Sequence, residues 1–335
     1  MTEQRQVLES ILQQGAITTL FQPIFDIAKQ SIIGYEALSR GPKNGPLAMP
    51  NKLFEAAHKY QLISELELLC RSRAIENFVK LSLQGKLFLN VSPKILLDPS
   101  HPKGETLHLI EQFGLAANRV VIEVTEQEKV DDGFLLLKTI AHYRELGFTI
   151  AIDDLGAGYS GLKQWSQLCP DIVKIDRYFI DHCDESEVKK EFLKSITVLA
   201  KATNTAVIAE GIERVEELAY VESLGIANVQ GFLLEKPNSN PSLDYSSEQL
   251  QALNFKQPSN TFDQSMAIGW LAVTQEAIDS ETRCKDAHKL FEKDKAVMSL
   301  AVLNKAGQPV GLLHKDQLTE VFAAPYGHAL YDKCP

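Results

Sequence analysis

This sequence of 335 residues lacks the spacings of cysteine and histidine that are typical of zinc ligands. Its five cysteines never occur as C-x-x-C, and its eight histidines form no H-x-x-x-H pair. The first absence excludes a thiolate zinc site, and the second excludes a zinc protease of the H-E-x-x-H type. Scattered cysteines in odd number are typical of a reducing compartment, so we expect a cytoplasmic protein.

Long hydrophobic runs and an excess of positive charge are missing as well. No apolar stretch reaches the roughly 18–20 residues of a membrane helix. The first 15 residues, MTEQRQVLESILQQG, form an amphipathic helical pattern with acidic residues, unlike a signal peptide. The formal net charge is −10, from 34 basic and 44 acidic residues. We therefore expect no membrane and no duplex nucleic acid as partner, although a local pocket can still bind a small anion.

Eight short apolar or β-branched runs are present between residues 17 and 235, and helical patterns fill nearly all the gaps after the second run. The clearest helical pattern covers residues 51–78. Strands that alternate with helices predict an α/β fold, a (β/α)8 barrel of the TIM type. Only AKQ separates the first two runs, TTLFQPIFDI and SIIGYEALSR, so we predict an antiparallel hairpin and one antiparallel strand. A doubly wound open sheet is the alternative, but no G-x-G-x-x-G follows the first strand.

The composition changes after the eighth run. Residues 241–262 are polar and contain prolines and several serines, which is typical of a linker. Residues 263–335 follow with a helix–strand–turn–strand–helix pattern, a small α+β segment. The sequence thus predicts a barrel over residues 1–240, a linker over 241–262 and a second segment over 263–335.

Polar side chains follow the apolar part of nearly every predicted strand. In a parallel barrel the carboxyl ends of the strands meet at one face, which is where active sites lie. A single acid in such a place is often a helix cap or a turn residue, but oxygen ligands on five strands predict a site for Mg²⁺, Mn²⁺ or Ca²⁺ rather than zinc. The residues are Glu36, Asn90, Glu123, Glu126, Asp153, Asp154, Lys174, Asp176, Glu210, Glu213 and Gln230.

Three features of this set suggest phosphate chemistry. The adjacent Asp153 and Asp154 could hold two metal ions about 4 Å apart, the arrangement used for in-line attack on phosphorus. Lys174 could orient a water molecule or neutralise a phosphate, although a lone lysine on a strand is often an ordinary partly exposed side chain. Arg40 could contact a phosphate with two hydrogen bonds, or it could simply be a surface residue.

Eight ordered sequence blocks resemble the EAL-domain phosphodiesterases of bacterial cyclic di-GMP signalling. They are FQPI, EALSR, LNVSP, EVTE, DDLGAGYSGL, KID, AEGIE and QGFLL, and they extend over residues 1–240. The resemblance implies a barrel with one antiparallel strand. It also implies hydrolysis of cyclic di-GMP to the linear dinucleotide pGpG with two Mg²⁺ or Mn²⁺ ions per active site, and a homodimer.

The resemblance also implies a role for each matching residue. Lys174 would hold the nucleophilic water, and Glu210 would be either a metal ligand or the general base. Glu126 would anchor the loop after Asp154, which couples dimerisation to metal binding, and Glu213 would support the water. The substrate contacts would be Gln22, Leu38, Arg40 and Gln230. The metal ligands would be Glu36, Asn90, Glu123, Asp153, Asp154 and Glu210.

Two positions depart from the family pattern. Leu155 stands where phenylalanine is usual in the loop, and Ala157 stands where threonine is common. We expect these changes to affect regulation through the loop and to leave the chemistry intact.

The segment 263–335 resembles a CBS motif, best in the block GQPVGLLHKDQL, where Asp316 matches an aspartate that can contact an adenosyl ribose. Such motifs work in pairs, and proteins of this layout often continue into a second CBS motif and a GGDEF domain. We therefore expect the chain to be the front part of a longer protein. A scaffold that binds no nucleotide is the alternative for this segment.

Two other functions fit parts of the pattern. A degenerate receptor would bind cyclic di-GMP without hydrolysing it, although the intact set of ligands argues against this alternative. An enolase-like barrel would hold a single Mg²⁺ on strand-end carboxylates and use Lys174 as a base, and it would need no second metal beside Asp154.

Overall fold

The computed structural model describes residues 3–92, 105–125, 133–156, 161–244, 277–293, 297–305, 307–316 and 318. The chain divides into two compact units, Met1–Phe255 and Lys256–Pro335. Each unit has its own sheet and its own apolar core. No helix in the described part of the chain is long and apolar enough to cross a membrane.

The first unit contains a closed barrel whose eight strands follow chain order. The two pairings of the first strand are antiparallel and all the others are parallel, so the predicted barrel with one antiparallel strand is confirmed. The strands are β1 (Thr18–Asp26), β2 (Ser31–Arg40), β3 (Lys86–Asn90), β4 (Val120–Thr125), β5 (Thr149–Leu155), β6 (Ile172–Ile175), β7 (Ala206–Ala209) and β8 (Asn228–Val229).

The hairpin between β1 and β2 explains the reversed strand. The turn of residues 27–30 is too short for the crossover that a parallel pair needs. Asp26 closes it, because its Oδ1 accepts a hydrogen bond from the backbone N–H of Lys29 and its Oδ2 lies 3.0 Å from Lys29 Nζ. Gln30 then takes a positive φ of 52°, which turns the chain into β2.

Helices fill the gaps between the other strands and precede β1, as the sequence predicts. They are α1 (Glu3–Gln14), α2 (Pro50–Tyr60), α3 (Ile63–Lys80), α4 (Glu105–Gln112), α5 (Gly133–Glu145), α6 (Gly161–Leu168), α7 (Arg177–Ile180), α8 (Glu187–Thr203) and α9 (Val215–Ser223).

The predicted helical stretch over residues 51–78 is two helices. Gln61 has a left-handed conformation with φ 58°, and its backbone N–H bonds to the carbonyls of Ala57 and His58. This closes α2, because a left-handed residue ends a helix while satisfying its last carbonyl groups. The chain then starts α3 two residues later.

The barrel interior contains one apolar layer directly beneath the predicted site. Its residues are Ile24, Phe88, Val121, Ala151, Ile172 and Ile208, one from each of six strands. Each lies two residues from a predicted site residue on the same strand or directly after it, for example Val121 from Glu123 and Ile172 from Lys174. Because side chains two apart on a strand share a face, the polar residues must also point into the barrel.

The second unit has a three-stranded sheet in the order β11–β10–β9 and one described helix of at least two turns. Its elements are β9 (Ile278–Asp279), α10 (Cys284–Lys293), β10 (Ser299–Leu303) and β11 (Pro309–His314). The core contains Ala287, Phe291 and Leu300. The predicted helix, turn and strand pair are therefore present, while the predicted final helix falls almost entirely outside the described residues.

The four cysteines of the described segments, Cys70, Cys169, Cys183 and Cys284, are free thiols. Cys334 lies outside the described residues.

Candidate active site

The predicted site residues come together at the end of the barrel where the parallel strands finish. Asn90 is the last residue of β3, and Glu210 directly follows β7. Glu36 was expected near a strand end, but it lies in the middle of β2, beside Gln22 of β1 and Phe88 of β3. The antiparallel hairpin causes this difference, because β2 continues past the barrel rim to Arg40 while still paired with β1.

Lys174 lies at the centre of the acidic cluster and is fully buried. Its Nζ is 2.6 Å from Glu210 Oε1 and 2.7 Å from Glu123 Oε1. The same atom is 3.2 Å from Asp153 Oδ1 and 3.3 Å from Glu36 Oε2. One ammonium group thus faces four carboxylates from four different strands. Lys174 is deeper in the barrel than a group that simply meets a phosphate at the surface.

Burial and crowding shift the acidities of this cluster. Burial raises the pKa of Glu123, Asp153 and Glu210 above their usual values, and Lys174 only partly offsets that rise. Burial would also raise the pKa of Glu36, but the Lys174 ammonium and two amide hydrogen bonds lower it. The four carboxylates in turn raise the pKa of Lys174 against the effect of its burial. The cluster therefore lacks positive charge, which divalent cations could supply.

Two groups of carboxylates have the spacing of metal sites. The ligand atoms of each group lie within 4.8 Å of one another, and Asp153 belongs to both. The groups are Glu36, Glu123 and Asp153, and Asp153, Asp154 and Glu210.

The donor set fits hard cations. Within the described residues, the buried Glu123 Oε2 has no hydrogen-bond partner, while Glu123 Oε1 and Asp153 Oδ1 lie near Lys174 Nζ without a well-directed hydrogen bond. Buried acceptor atoms of this kind call for a partner. Carboxylate oxygens are the ligands that Mg²⁺ and Mn²⁺ prefer, so the residues present fit such ions.

The backbone at Asp154 explains how two adjacent aspartates serve one site. Neighbouring side chains of a regular strand point to opposite faces. Asp154, however, has a positive φ of 54°, and the pairing of β5 with β6 shifts register between Ile152 and Leu155. This irregularity lets both Asp153 and Asp154 face the cavity. Burial and the neighbouring Asp153 raise the pKa of Asp154 to about 7.

Two amides orient the Glu36 carboxylate. Asn90 Nδ2 donates to Glu36 Oε1 at 3.1 Å, and Gln230 Nε2 donates to Glu36 Oε2 at 2.8 Å. Because Asn90 ends β3 and Gln230 directly follows β8, the two bonds fix Glu36 from both sides. The structure thus brings Gln230 to a metal-ligand candidate rather than to open solvent.

The carboxylates open into a cavity of about 370 Å³. Gln22, Leu38 and Gln230, the predicted substrate contacts, line it together with the second carboxylate group. Arg40 instead lines a neighbouring cavity of similar size that also contains Leu38 and Asn90. Its guanidinium donates to the backbone carbonyl of Ser39, and burial lowers its pKa.

The remaining predictions have different outcomes. Glu126 and Ala157 lie outside the described residues. Leu155 was expected in a loop, but it is the last residue of β5, fully buried and paired with Ile175 of β6. Glu213 lines the cavity but forms an ion pair with Arg177 and is not part of either carboxylate group.

Four residues that line the cavity were not predicted as site residues, namely Arg177, Gly211, Gly231 and Phe232. Arg177 directly follows Asp176, and Phe232 lies two residues after Gln230, and the sequence analysis did identify Asp176 and Gln230. The predicted residues Asp176 and Gln230 therefore lie close to Arg177 and Phe232 in the sequence. However, neither an arginine nor a phenylalanine in such a position is diagnostic of a functional site.

Solved structures resemble this fold, and curated proteins are similar to this chain in sequence. The standalone versatile EAL protein of Vibrio cholerae O395, in its c-di-GMP-bound form, has a TM-score of 0.62 and 30% identity, covering 69% of this chain and 98% of that one. The manganese/cy-diGMP complex of Klebsiella pneumoniae BlrP1 at pH 9.0 also has a TM-score of 0.62 and 30% identity, over 67% of this chain and 56% of that one.

The cyclic di-GMP phosphodiesterase NbdA of Pseudomonas aeruginosa is 31% identical over 235 residues, which are 69% of this chain and 30% of that protein. The chain spans about a third of the length of the first curated relatives that it matches. Residues 4–237 match the family described as the EAL domain, and this match covers the whole barrel. The chain therefore belongs to the EAL domain family.

Proposed function

We propose that this protein is a metal-dependent phosphodiesterase that hydrolyses cyclic di-GMP to linear pGpG and so lowers a bacterial second messenger. One observation carries the proposal, namely two carboxylate groups that share Asp153 at the floor of a cavity. Support comes from relatives named as cyclic di-GMP phosphodiesterases and from structures of EAL proteins with bound cyclic di-GMP.

We assign the ligands of two Mg²⁺ or Mn²⁺ ions to the residues that the geometry groups. Bound ions would supply an activated water and stabilise the charge that develops on the phosphate. Glu210 serves as a ligand, because it forms a group with Asp153 and Asp154. Asn90 completes the first group, where it already contacts Glu36. The first site would use Glu36, Asn90, Glu123 and Asp153, and the second Asp153, Asp154 and Glu210.

The chain's other residues position the reactants. Lys174 Nζ lies within 3.3 Å of carboxylates from both groups, so it can donate a hydrogen bond to a water held between them. Gln230 keeps Glu36 oriented. Gln22, Leu38 and Arg40 provide the walls that bind the substrate, and Glu126 anchors the loop after Asp154.

The experiment is a product assay on cyclic di-GMP with and without Mg²⁺ or Mn²⁺, run beside a Glu36→Gln variant. We expect pGpG only with the wild type and only with metal. Binding of cyclic di-GMP without any pGpG would favour the receptor function. A protein that needs only one ion per active site would favour the single-metal barrel.

The finer organisation of the chain is also part of the proposal. We assign residues 1–240 to the catalytic barrel, 241–262 to a linker and 263–335 to a CBS-like segment in a cytoplasmic homodimer. The three-stranded sheet and helix of the second unit support a CBS-like pattern. Asp316, two residues after the end of β11, is the residue assigned to an adenosyl nucleotide.

Two measurements test this organisation. Light scattering on the purified chain should give the mass of a dimer, and calorimetry should show binding of adenosine nucleotides that an Asp316→Ala variant lacks. The assignment also predicts that the gene continues into a second CBS motif and a GGDEF domain. A monomer without nucleotide binding would contradict the dimer and the CBS-like function but would leave the catalytic proposal intact.

A further inference from the structure

An exposed ion pair stands at the side of the catalytic cavity. Arg177 directly follows Asp176 at the end of β6, and Glu213 lies in the loop between β7 and α9. Arg177 Nη1 is 2.8 Å from Glu213 Oε1, and both residues line the cavity that contains Asp154 and Glu210. The side chains are 53% and 34% exposed. An ion pair this exposed contributes little to stability, so folding alone does not explain its position.

The backbone holds this pair in a fixed place. Gly211 has a φ of +70°, and a Cβ there would lie 2.5 Å from Arg177 Cγ, so the arginine stem packs directly on the backbone of the β7 loop. The buried Glu217 carboxylate accepts hydrogen bonds from the N–H groups of Glu213 and His182, both at 3.0 Å. One buried carboxylate thereby ties the loop after β7 to the segment after β6.

The same cavity offers a flat apolar surface. Phe232 follows β8, lines the cavity and is 49% exposed. Among the described residues that line this cavity, Arg177 provides the only cationic side chain. An exposed aromatic ring together with a donor–acceptor pair is the set of groups that recognises an unpaired nucleobase.

The chemistry of the pair matches guanine. The guanine edge presents O6 and N7 as acceptors beside the N1–H and N2–H donors, whereas adenine presents an amino donor in place of O6. A guanidinium has several N–H donors and a carboxylate has several acceptor positions, so one mutual contact leaves capacity on both groups. Arg177 can therefore donate to O6, in whose place adenine has an amino donor, while Glu213 accepts from the adjacent N1–H and N2–H groups.

We propose that Arg177 and Glu213 bind the edge of one guanine base of the substrate, with Phe232 as the surface on which the base stacks. The pair thus determines specificity for guanine over adenine. This inference rests on the proposed function, because it assigns a base-binding role beside the same metal-ligand carboxylates.

The test compares Arg177→Met with the wild type in the presence of Mn²⁺. We expect the KM for cyclic di-GMP to rise by about 10- to 100-fold with little change in kcat, as for loss of a bidentate contact to a base. The inhibition constant of cyclic di-AMP in the same assay should stay unchanged. The matched control is Arg214→Met, whose guanidinium pairs with Asp184 and Glu185 outside the cavity lining and whose loss should not move either constant.

Each outcome has a distinct meaning. An equal loss of affinity for cyclic di-GMP and cyclic di-AMP would show that Arg177 binds phosphate, and an unchanged KM would show that it binds neither group; both overturn the inference. The double variant Arg177→Glu with Glu213→Arg restores an ion pair but exchanges the positions of the hydrogen-bond donors and acceptors. It should therefore not recover the wild-type KM. Recovery of the wild-type KM would show that the pair is purely structural. Failure of the wild type to turn over cyclic di-GMP would instead refute the proposed function.

Discussion

Replacing Lys174 by methionine should destabilise the metal-free protein strongly. The change removes the one ammonium that lies within 3.3 Å of four carboxylates, three of them buried. Removal of one partner from a buried ion pair costs about 3–5 kcal/mol, because it leaves an uncompensated buried charge. For a domain of this size each kcal/mol lowers the melting temperature by about 2–4 °C. We therefore expect a loss of roughly 6–20 °C without metal.

The loss should depend on pH in a definite direction. Burial already raises the pKa values of Glu123 and Glu210, and without the ammonium they rise further. The folded variant then holds protons that the unfolded chain has released, so its stability falls as pH rises above the usual carboxylate pKa. The difference between wild type and Lys174→Met should be larger at pH 8 than at pH 5.5.

Thermal unfolding followed by circular dichroism measures both effects, in chelator and then with added Mn²⁺. Mn²⁺ should stabilise the variant more than the wild type, because a cation replaces the missing charge. The control is Lys194→Met, which breaks an exposed pair with Glu191 on α8 and should leave the melting temperature unchanged. A loss below about 1 kcal/mol that is also independent of pH would refute the view that Lys174 balances the cluster.

Three further predictions concern the metal sites. Glu36→Gln should reduce kcat at least about 1,000-fold, which corresponds to a loss of about 4 kcal/mol of transition-state stabilisation. The surface control Glu76→Gln should keep wild-type turnover. An active Glu36→Gln enzyme would contradict the assignment of Glu36 as a metal ligand. Because burial and Asp153 raise the pKa of Asp154 to about 7, the affinity for Mn²⁺ measured by calorimetry should fall as the pH is lowered below 7. Asp154→Asn should bind Mn²⁺ weakly, with a flatter dependence of affinity on pH. An equally steep dependence in the variant would exclude Asp154 as the titrating ligand. Excess Ca²⁺ should inhibit turnover with Mg²⁺, because its looser coordination does not reproduce octahedral geometry, and unaffected rates would argue against two-metal chemistry.

The barrel was predictable because its signals are local. Alternating strand and helix patterns predicted eight strands, and the short AKQ turn predicted the antiparallel hairpin. The polar residues could be assigned to one end because each follows apolar residues at strand spacing. The break of the long helix at Gln61 was not predictable, since a left-handed glutamine has no distinctive sequence signal.

The details of the site depend on tertiary geometry that no local pattern contains. The sequence showed two adjacent aspartates, but only the positive φ at Asp154 and the register shift beside it explain why both face the cavity. Lys174 is deeply buried because its side chain lies on the inward face of β6, where carboxylates of other strands surround it. Arg177 begins α7 and Glu213 lies in a loop 36 residues later, so their contact appears only in the fold.

The most direct test of the account is anomalous diffraction at the manganese edge from crystals of the protein grown with Mn²⁺. The account predicts two manganese peaks, one beside Glu36 and Glu123 and one beside Asp154 and Glu210, with Asp153 between them. No peak among these carboxylates, or one peak that Asp153 does not touch, would contradict it.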